Sequence, residues 1–123
     1  MKNVILFLLL SLTSVNLFAF TKSDRIVLKP DGPQHNHYNI PMPADMPDVY
    51  YNNDTRTITI DGAGEVSYYD VEIISWTTLY TVISTQVSGY YDTIDVSSLS
   101  NDDYVIIIYS PTGYTFDGDF EIY

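Results

Sequence analysis

The chain has 123 residues and carries 16 acidic against 5 basic side chains, which gives a formal net charge of −11. That charge excludes nucleic acids and anionic membrane surfaces as partners, since both are bound through lysine and arginine. The sequence contains no cysteine, which rules out disulfides, a thiol nucleophile and thiolate metal sites, and its length is typical of one domain.

The N-terminal segment has the three regions of a secretory signal peptide. Lys2 precedes the apolar run 4–10, and a segment "LFAF" follows in which Ala19 stands before the expected cleavage point. A membrane-spanning helix needs about 18 nearly uninterrupted apolar residues, whereas this run ends at Ser11. We therefore predict that residues 1–19 are a signal peptide and that the protein is secreted, to the periplasm or the cell surface. Cleavage there removes one lysine and no acidic residue, so the net charge changes from −11 to −12.

Residues 20–47 differ in composition from the rest of the chain. Five of the six prolines and both histidines lie here, and proline interrupts both helices and ladder hydrogen bonds. The stretch "RIVLK" (25–29) is a candidate edge strand, and the rest is predicted as a Pro-rich, partly extended leader. His35 and His37 with Asp31 offer metal-ligand chemistry, but an extended segment does not preorganise ligands, so we predict no metal site there.

From Asp48 onward the sequence predicts one strand after another. In "TRTITID" (55–61) isoleucines alternate with threonines, and in "VSYYDVEIIS" (66–75) the pattern places Tyr69, Val71 and Ile73 on one face. "TLYTVIS" and "DTIDVSS" follow, separated by turn-forming Asn, Asp and Gly. We predict an all-β fold, an antiparallel β-sandwich of about seven strands over residues 48–123.

The C-terminal stretch "YVIIIYSPTGYTFDGDFEIY" predicts the closing hairpin of the sandwich. Its first strand is apolar on both faces, which is typical of a central strand with both faces covered. Pro111 and Gly113 suit a type I turn closed by a left-handed residue. We predict a β-bulge at Gly118 that turns Phe120 toward the core. Trp76, which follows an apolar run, is predicted to be buried.

The segment 94–122 resembles the end of a family of small secreted Bacteroidota domains of unknown function (DUF3244). Those domains close with a pattern of the form L-x-x-G-x-Y, a strand, a glycine turn and G-x-F-x-I. Asp102 stands where the family usually has glycine, a modest departure because aspartate tolerates the left-handed conformation better than most residues. The resemblance implies an immunoglobulin-like or fibronectin-like sandwich and no known activity. The matching residues are Leu99, Tyr104, Gly113, Gly118, Phe120 and Ile122.

A related pattern closes the C-terminal sorting domains of the type IX secretion pathway. That more distant resemblance implies export to the cell surface by this route. The sorting domains usually end with basic residues, whereas "DFEIY" here is acidic. Shared sandwich ancestry explains the likeness without a shared function, and a sorting role is kept as an alternative.

The residue inventory argues against an enzyme and against cofactors. There is no cysteine and no nucleophilic serine in a Gly-x-Ser-x-Gly motif, and the only histidines lie in the leader. Asp70, Glu72 and Asp95 fall on outward faces, and the remaining carboxylates lie largely in turns, so no catalytic pair is predicted. Asp117 with Asp119, or Asn53 with Asp54, could contact a calcium ion, but these spacings fit no complete calcium loop. We predict no catalytic, cofactor-binding or metal-binding residue.

Twelve tyrosines are the unusual feature of the composition. Tyrosine has high β propensity and packs well on half-buried sheets, which favours a non-catalytic interaction or structural module with a protein partner outside the cytoplasm. The alternative is a small carbohydrate-binding domain in which outward rings such as Tyr68 form a platform for a glycan. The two hypotheses differ in whether several tyrosines converge on one exposed sheet face.

Overall fold

The protein is an antiparallel β-sandwich of two sheets. The computed structural model describes residues 23–31 and 43–123, and these residues form nine strands and no helix. The described residues therefore include no helix that could cross a membrane. The predicted signal peptide, 1–19, lies outside the described residues. The four-stranded sheet has the order β1 (Asp24–Ile26), β3 (Asp48–Asn52), β4 (Thr57–Asp61), β7 (Tyr91–Asp95). The five-stranded sheet has the order β2 (Lys29–Asp31), β9 (Thr115–Ile122), β8 (Asp102–Tyr109), β5 (Tyr68–Ser75), β6 (Thr81–Ser88).

The core lies between the two sheets and is built by alternation along each strand. Since successive side chains of a strand point to opposite faces, every second residue is buried. The burial confirms the predicted inward residues of β4 and β5, and it places Ile94 and Val96 in the core as well. Side chains that are fully buried are Val49, Ile58, Ile60, Tyr69, Val71, Ile73, Val96, Ile106, Ile108, Phe116 and Ile122.

Two short strands of the sandwich come from within residues 20–47. β1 pairs with β3 at one edge of the four-stranded sheet, and β2 pairs with β9 at one edge of the other. Ile26 and Leu28, in the segment that crosses between the sheets, are buried. The sandwich thus begins before Asp48, where the sequence places the start of the domain. Pro30 is accommodated because it lies on an edge strand.

The C-terminal hairpin forms as predicted, but it contains no bulge. The register from Asp102↔Ile122 to Tyr109↔Thr115 is constant, so β9 is a regular strand. The predicted bulge at Gly118 is therefore wrong. Gly118 is a buried core-facing position, and a Cβ there would lie 2.7 Å from Ile26 Cγ2 and 2.9 Å from the Val27 carbonyl oxygen. Glycine is needed at this position because residues 26–28, which cross from β1 to β2, pass close to β9.

The turn of this hairpin has the predicted geometry. The Gly113 N–H donates to the Ser110 carbonyl oxygen at 3.1 Å, and Gly113 has φ of 98°, in the left-handed region that glycine adopts without strain. β8 lies between β5 and β9, as predicted for a central strand. Its outer face is only partly covered, since Val105 and Ile107 are half-buried and Tyr109 is exposed. The expectation that both faces are covered is therefore wrong.

A buried polar cluster ties the segment before β3 to the hairpin turn. Asp45 is buried, and its Oδ2 accepts hydrogen bonds from Ser110 Oγ and, at 2.6 Å, from Thr112 Oγ1. The Tyr69 hydroxyl donates to the Asp45 carbonyl oxygen at 2.6 Å. Every buried side-chain polar atom of the described residues has a hydrogen-bond partner, so this cluster stabilises the fold without leaving an unpaired group.

Candidate functional site

The outer face of the five-stranded sheet is the strongest candidate for a functional surface. The register of the ladders aligns β2, β9, β8, β5 and β6, and alternation then decides which side chains point away from the core. We call this surface the outer face. Its residues on the five strands and at the end of β5 are Lys29, Asp31, Tyr68, Asp70, Glu72, Ile74, Trp76, Thr81, Ser84, Gln86, Ser88, Asp103, Val105, Ile107, Tyr109, Thr115, Asp117, Asp119 and Glu121.

An apolar strip runs along the middle of the outer face. Ile107 and Val105 of β8 lie opposite Glu72 and Ile74 of β5. Tyr109 extends the strip at one end, where Tyr68 is its diagonal neighbour across β5 and β8. Both rings are 37% exposed. The strip leaves a continuous band of aliphatic and aromatic carbon on the surface, which is typical of a contact surface.

Trp76 forms the other end of the strip, and the prediction that it is buried is wrong. The Trp76 N–H donates to the Asp103 carbonyl oxygen at 3.0 Å, which extends the pairing of β5 and β8 by one residue. Trp76 follows Ile74 by two positions and so points to the same, outer side. Its side chain is 54% exposed.

Carboxylates border the strip on both sides. Asp70 and Glu72 lie on β5, and the other carboxylates lie on β2, β8 and β9. Lys29, opposite Asp117, is the basic residue among the described positions of this face. Seven carboxylates against one ammonium give the outer face a formal charge of −6, and this charge is about half of that of the whole chain. The seven are Asp31, Asp70, Glu72, Asp103, Asp117, Asp119 and Glu121.

A depression of about 490 Å³ lies where the strip meets these carboxylates. It is lined by Trp76, Asp103, Asp119, Phe120 and Glu121. An indole ring beside three carboxylates provides both an apolar face and negative charge, a combination that suits a cation. Within residues 23–31 and 43–123 no group of three or more His, Cys, Asp or Glu is arranged to hold a metal ion.

Polar contacts fix several side chains of this face. Gln86 Nε2 donates to Asp70 Oδ1 at 3.2 Å. Partial burial raises the pKa of the Tyr109 hydroxyl, and the charge of Glu72 and a hydrogen bond with it act in the same direction. Tyr109 therefore remains a neutral hydrogen-bond donor on an acidic surface at neutral pH.

The loop between β5 and β6 is held by Asp102. Thr77 Oγ1 donates to Asp102 Oδ1 at 2.8 Å, and Ser75 Oγ donates to Oδ2 at 2.9 Å. These bonds, with that of Thr77 the strongest influence, lower the pKa of Asp102. Asp102 begins β8 and has no positive φ, so this position does not need the glycine that the family has. Sequence reasoning missed this role, since it depends on a contact across 25 positions.

The tyrosines in the described part of the chain do not converge on one face. Tyr68 and Tyr109 share the outer face of the five-stranded sheet, whereas Tyr91 lies on the opposite sheet and Tyr80 and Tyr90 in connections. Buried rings are those of Tyr51, Tyr69 and Tyr104. This scatter is expected if tyrosine serves in this protein mainly as a residue that packs on half-buried sheets. A ligand-binding role for Tyr68 stays a prediction.

Other candidate residues take structural positions. His35 and His37 lie outside the described residues. Asp117 and Asp119 are part of the regular strand β9 and do not form a loop around a cation. Asn53 contacts the C-terminus, where its Nδ2 donates to the Tyr123 carbonyl oxygen at 2.7 Å.

Comparison with known proteins supports the fold. No family profile matches the chain, and no curated protein matches it. Among solved structures, the chain is similar to a DUF3244 family protein with an immunoglobulin-like β-sandwich fold from Bacteroides vulgatus. The TM-score is 0.64 at 14% identity, and the alignment covers 81% of this chain and 98% of the other. The likeness confirms the predicted immunoglobulin-like sandwich, and the neighbour is a member of the family that residues 94–122 resemble. The similarity to type IX sorting domains stays a prediction.

Proposed function

We propose that this protein is a non-catalytic interaction module, acting outside the cytoplasm, that binds a basic protein partner through the outer face of its five-stranded sheet. The observation that carries the proposal is the apolar strip bordered by carboxylates. Apolar contact supplies affinity through burial, and the surrounding charge selects the partner and speeds association.

The depression beside Trp76 is where the two contributions meet. An arginine or lysine of the partner would place its aliphatic stem on the indole and its cationic head among the carboxylates of Asp103, Asp119 and Glu121. A cation over a tryptophan face contributes about 0.5–1 kcal/mol at an exposed site, and exposed ion pairs about 0.2–1 kcal/mol each. Both are modest, which favours a reversible complex.

A glycan ligand is the less favoured alternative. Carbohydrate-binding faces use aromatic rings as an apolar platform, and here the outer face offers the diagonal pair Tyr68 and Tyr109 with Trp76 at the far end. A sugar has no net positive charge to match seven carboxylates. The charge of the face therefore favours a basic polypeptide over a neutral or acidic glycan.

The proposal is tested by selecting peptides from a random displayed library on the purified protein. We expect selected sequences to be enriched in arginine and lysine next to apolar residues. A selected peptide is then titrated by calorimetry at increasing NaCl, where binding should weaken with salt as exposed ion pairs are screened. Trp76→Ala should weaken binding about two- to fivefold, through the loss of roughly 0.5–1 kcal/mol.

Matched controls separate this face from general acidity. Asp119→Asn/Glu121→Gln removes two charges from the outer face, and Asp54→Asn/Glu65→Gln removes two at exposed positions elsewhere. Tyr91→Ala, on the other sheet, is the control for Trp76→Ala. Equal loss of binding in target and control variants contradicts the proposal. Absence of basic residues among the selected peptides, together with glycan-array binding that Tyr68→Ala abolishes, would support the carbohydrate alternative.

A further inference from the structure

The edge strands of the two sheets differ in how they are protected. Natural sandwiches discourage edge-to-edge pairing with charge, proline or very short strands. Of the four edges, β1 has three residues and carries Asp24 and Arg25, and β2 has three residues and carries Lys29, Pro30 and Asp31. β7 carries Asp92 and Asp95. β6 has eight residues, "TVISTQVS", with no charge and no proline. A β-bulge at Val82, another device of this kind, lies near its start, and residues 83–88 pair regularly with β5.

The side of β6 that faces away from β5 presents backbone groups to which no described strand is paired. Within the described residues β6 pairs with β5 alone. The Ser88 N–H donates to Asp92 Oδ2 at 2.9 Å, and the Gly89 N–H donates to the Ser67 carbonyl oxygen. The backbone N–H of Ser88 therefore points away from β5, and that of Gly89 points toward β5. Because outward and inward residues alternate along an antiparallel strand, the backbone groups of Gln86 and Ser84 also point outward.

The space beside β6 has room for another strand. A groove of about 360 Å³ separates β6 from β7, and its lining includes Ile83, Thr85, Val87 and Ile94. Thr85 is exposed although it lies on the inner side of its sheet, because the facing sheet has one strand fewer. A strand added to β6 would place alternate side chains over this groove.

Exposed apolar residues lie at both ends of β6. Leu79 and Tyr80 precede the strand and are 70% and 75% exposed, and Tyr90 and Tyr91 follow it and are also exposed. If two copies of β6 pair antiparallel about Thr85, Ser84 of one copy lies opposite Gln86 of the other. The same register brings Tyr80 toward Tyr90. Each end of the interface then receives the same apolar contact, as two-fold symmetry requires.

We propose that β6 is the contact strand of a symmetric homodimer, in which two five-stranded sheets join into one continuous sheet. The pairing is centred on Thr85, whose two copies face each other at the two-fold axis. A second copy fits better than an unrelated peptide, because the uncharged edge and its apolar ends are complementary to themselves. The formal charge of −11 on each copy opposes association, so dimerisation strengthens as salt screens it. Binding of a basic partner responds to salt in the opposite direction.

Sedimentation equilibrium over a concentration series, at low and high NaCl, tests the proposal. The wild type should approach twice the monomer mass, at lower concentration in high salt. Thr85→Lys places two like charges directly opposite each other and should hold the protein at monomer mass. Thr55→Lys, at an exposed position in the turn between β3 and β4, is the control and should dimerise like the wild type. A circular dichroism melt checks that both variants are folded.

Site-specific crosslinking gives a second, independent measurement. The chain has no cysteine, so Thr85→Cys introduces a single thiol at the axis, within reach of its symmetry mate. Oxidation should yield a disulfide-linked dimer for Thr85→Cys and none for Thr55→Cys. Monomer mass at every concentration and salt, an equal effect of the two lysine variants, or crosslinking at Thr55→Cys alone would overturn the proposal.

Discussion

Gly118→Ala is the most informative single change in the core, because it adds one methyl group at the place where the chain crosses between sheets. The new Cβ would meet Ile26 Cγ2 at 2.7 Å, the Val27 carbonyl oxygen at 2.9 Å and Leu28 Cδ2 at 3.1 Å. Comfortable contacts between carbon atoms are about 3.5–4.0 Å. The two side-chain atoms can rotate away, but the Val27 carbonyl cannot move without shifting the backbone of the crossing segment.

The expected cost follows from these distances. Inserting a methyl group into a packed core costs about 1–3 kcal/mol. Alanine restricts the unfolded chain more than glycine does, and this offsets about 0.4–1 kcal/mol. A net loss of about 1–2 kcal/mol in the free energy of unfolding remains, which for a domain of this size corresponds to a fall in Tm of roughly 5–15 °C.

The measurement is a urea titration with a thermal melt, on Gly118→Ala beside Asp119→Ala. Asp119 is the next residue of β9 and points outward, so its truncation should change the free energy of unfolding by less than about 0.5 kcal/mol. In the Ile26→Ala background, one of the three close contacts is gone and Gly118→Ala should cost less. Two results would refute the explanation that residues 26–28 lie too close to Gly118 for a side chain. One is equal stability of Gly118→Ala and Asp119→Ala, and the other is strict additivity of the stability losses of Gly118→Ala and Ile26→Ala.

Two further changes test the aromatic core. Phe120 stacks on Tyr104 at 5.5 Å between ring centroids and lies 5.3 Å from Tyr51, so Phe120→Ala should lower the free energy of unfolding by about 3–5 kcal/mol in a urea titration, whereas the exposed Tyr80→Ala should change it by less than about 0.5 kcal/mol. Burial, and then the charges of Asp45 and Glu65, raise the pKa of Tyr69 from 10.0 to about 12. Burial of the neutral Tyr69 hydroxyl therefore contributes its full stabilisation below pH 10, and this stabilisation is lost as pH rises toward 12. The free energy of unfolding should fall by about 1 kcal/mol between pH 9 and 11. Tyr69→Phe should show a smaller loss over that interval, and equal pH profiles would contradict this assignment.

The sequence predicted those parts of the fold that depend on local alternation. Ile58 with Ile60, and Tyr69 with its neighbours at every second position, are buried because a half-covered strand needs one apolar face. The turn at Gly113 was equally predictable, since a left-handed residue and the preceding proline are local signals. These features need no knowledge of which strand lies beside which.

Features that depend on neighbours distant in sequence could not be predicted. Trp76 follows an apolar run, yet it is exposed because the strand continues along the outer side for one more residue. Gly118 is typical of a bulge, and only the passage of residues 26–28 explains its absence. A three-residue strand containing Pro30 has no recognisable pattern. The candidate site, too, requires the register, which decides that carboxylates of β5 and β9 border one apolar strip.

The pairing of β2 with β9 also bears on how the chain folds. Lys29 lies opposite Asp117, so the edge of the five-stranded sheet joins positions 88 residues apart. Closing so large a loop costs chain entropy before native contacts repay it, and sandwiches dominated by such distant pairings fold in milliseconds to seconds. The edge cannot close until β9 has been synthesised. During that time β5 and β8, the most apolar of the long strands, lack their final surroundings and are the segments most exposed to aggregation.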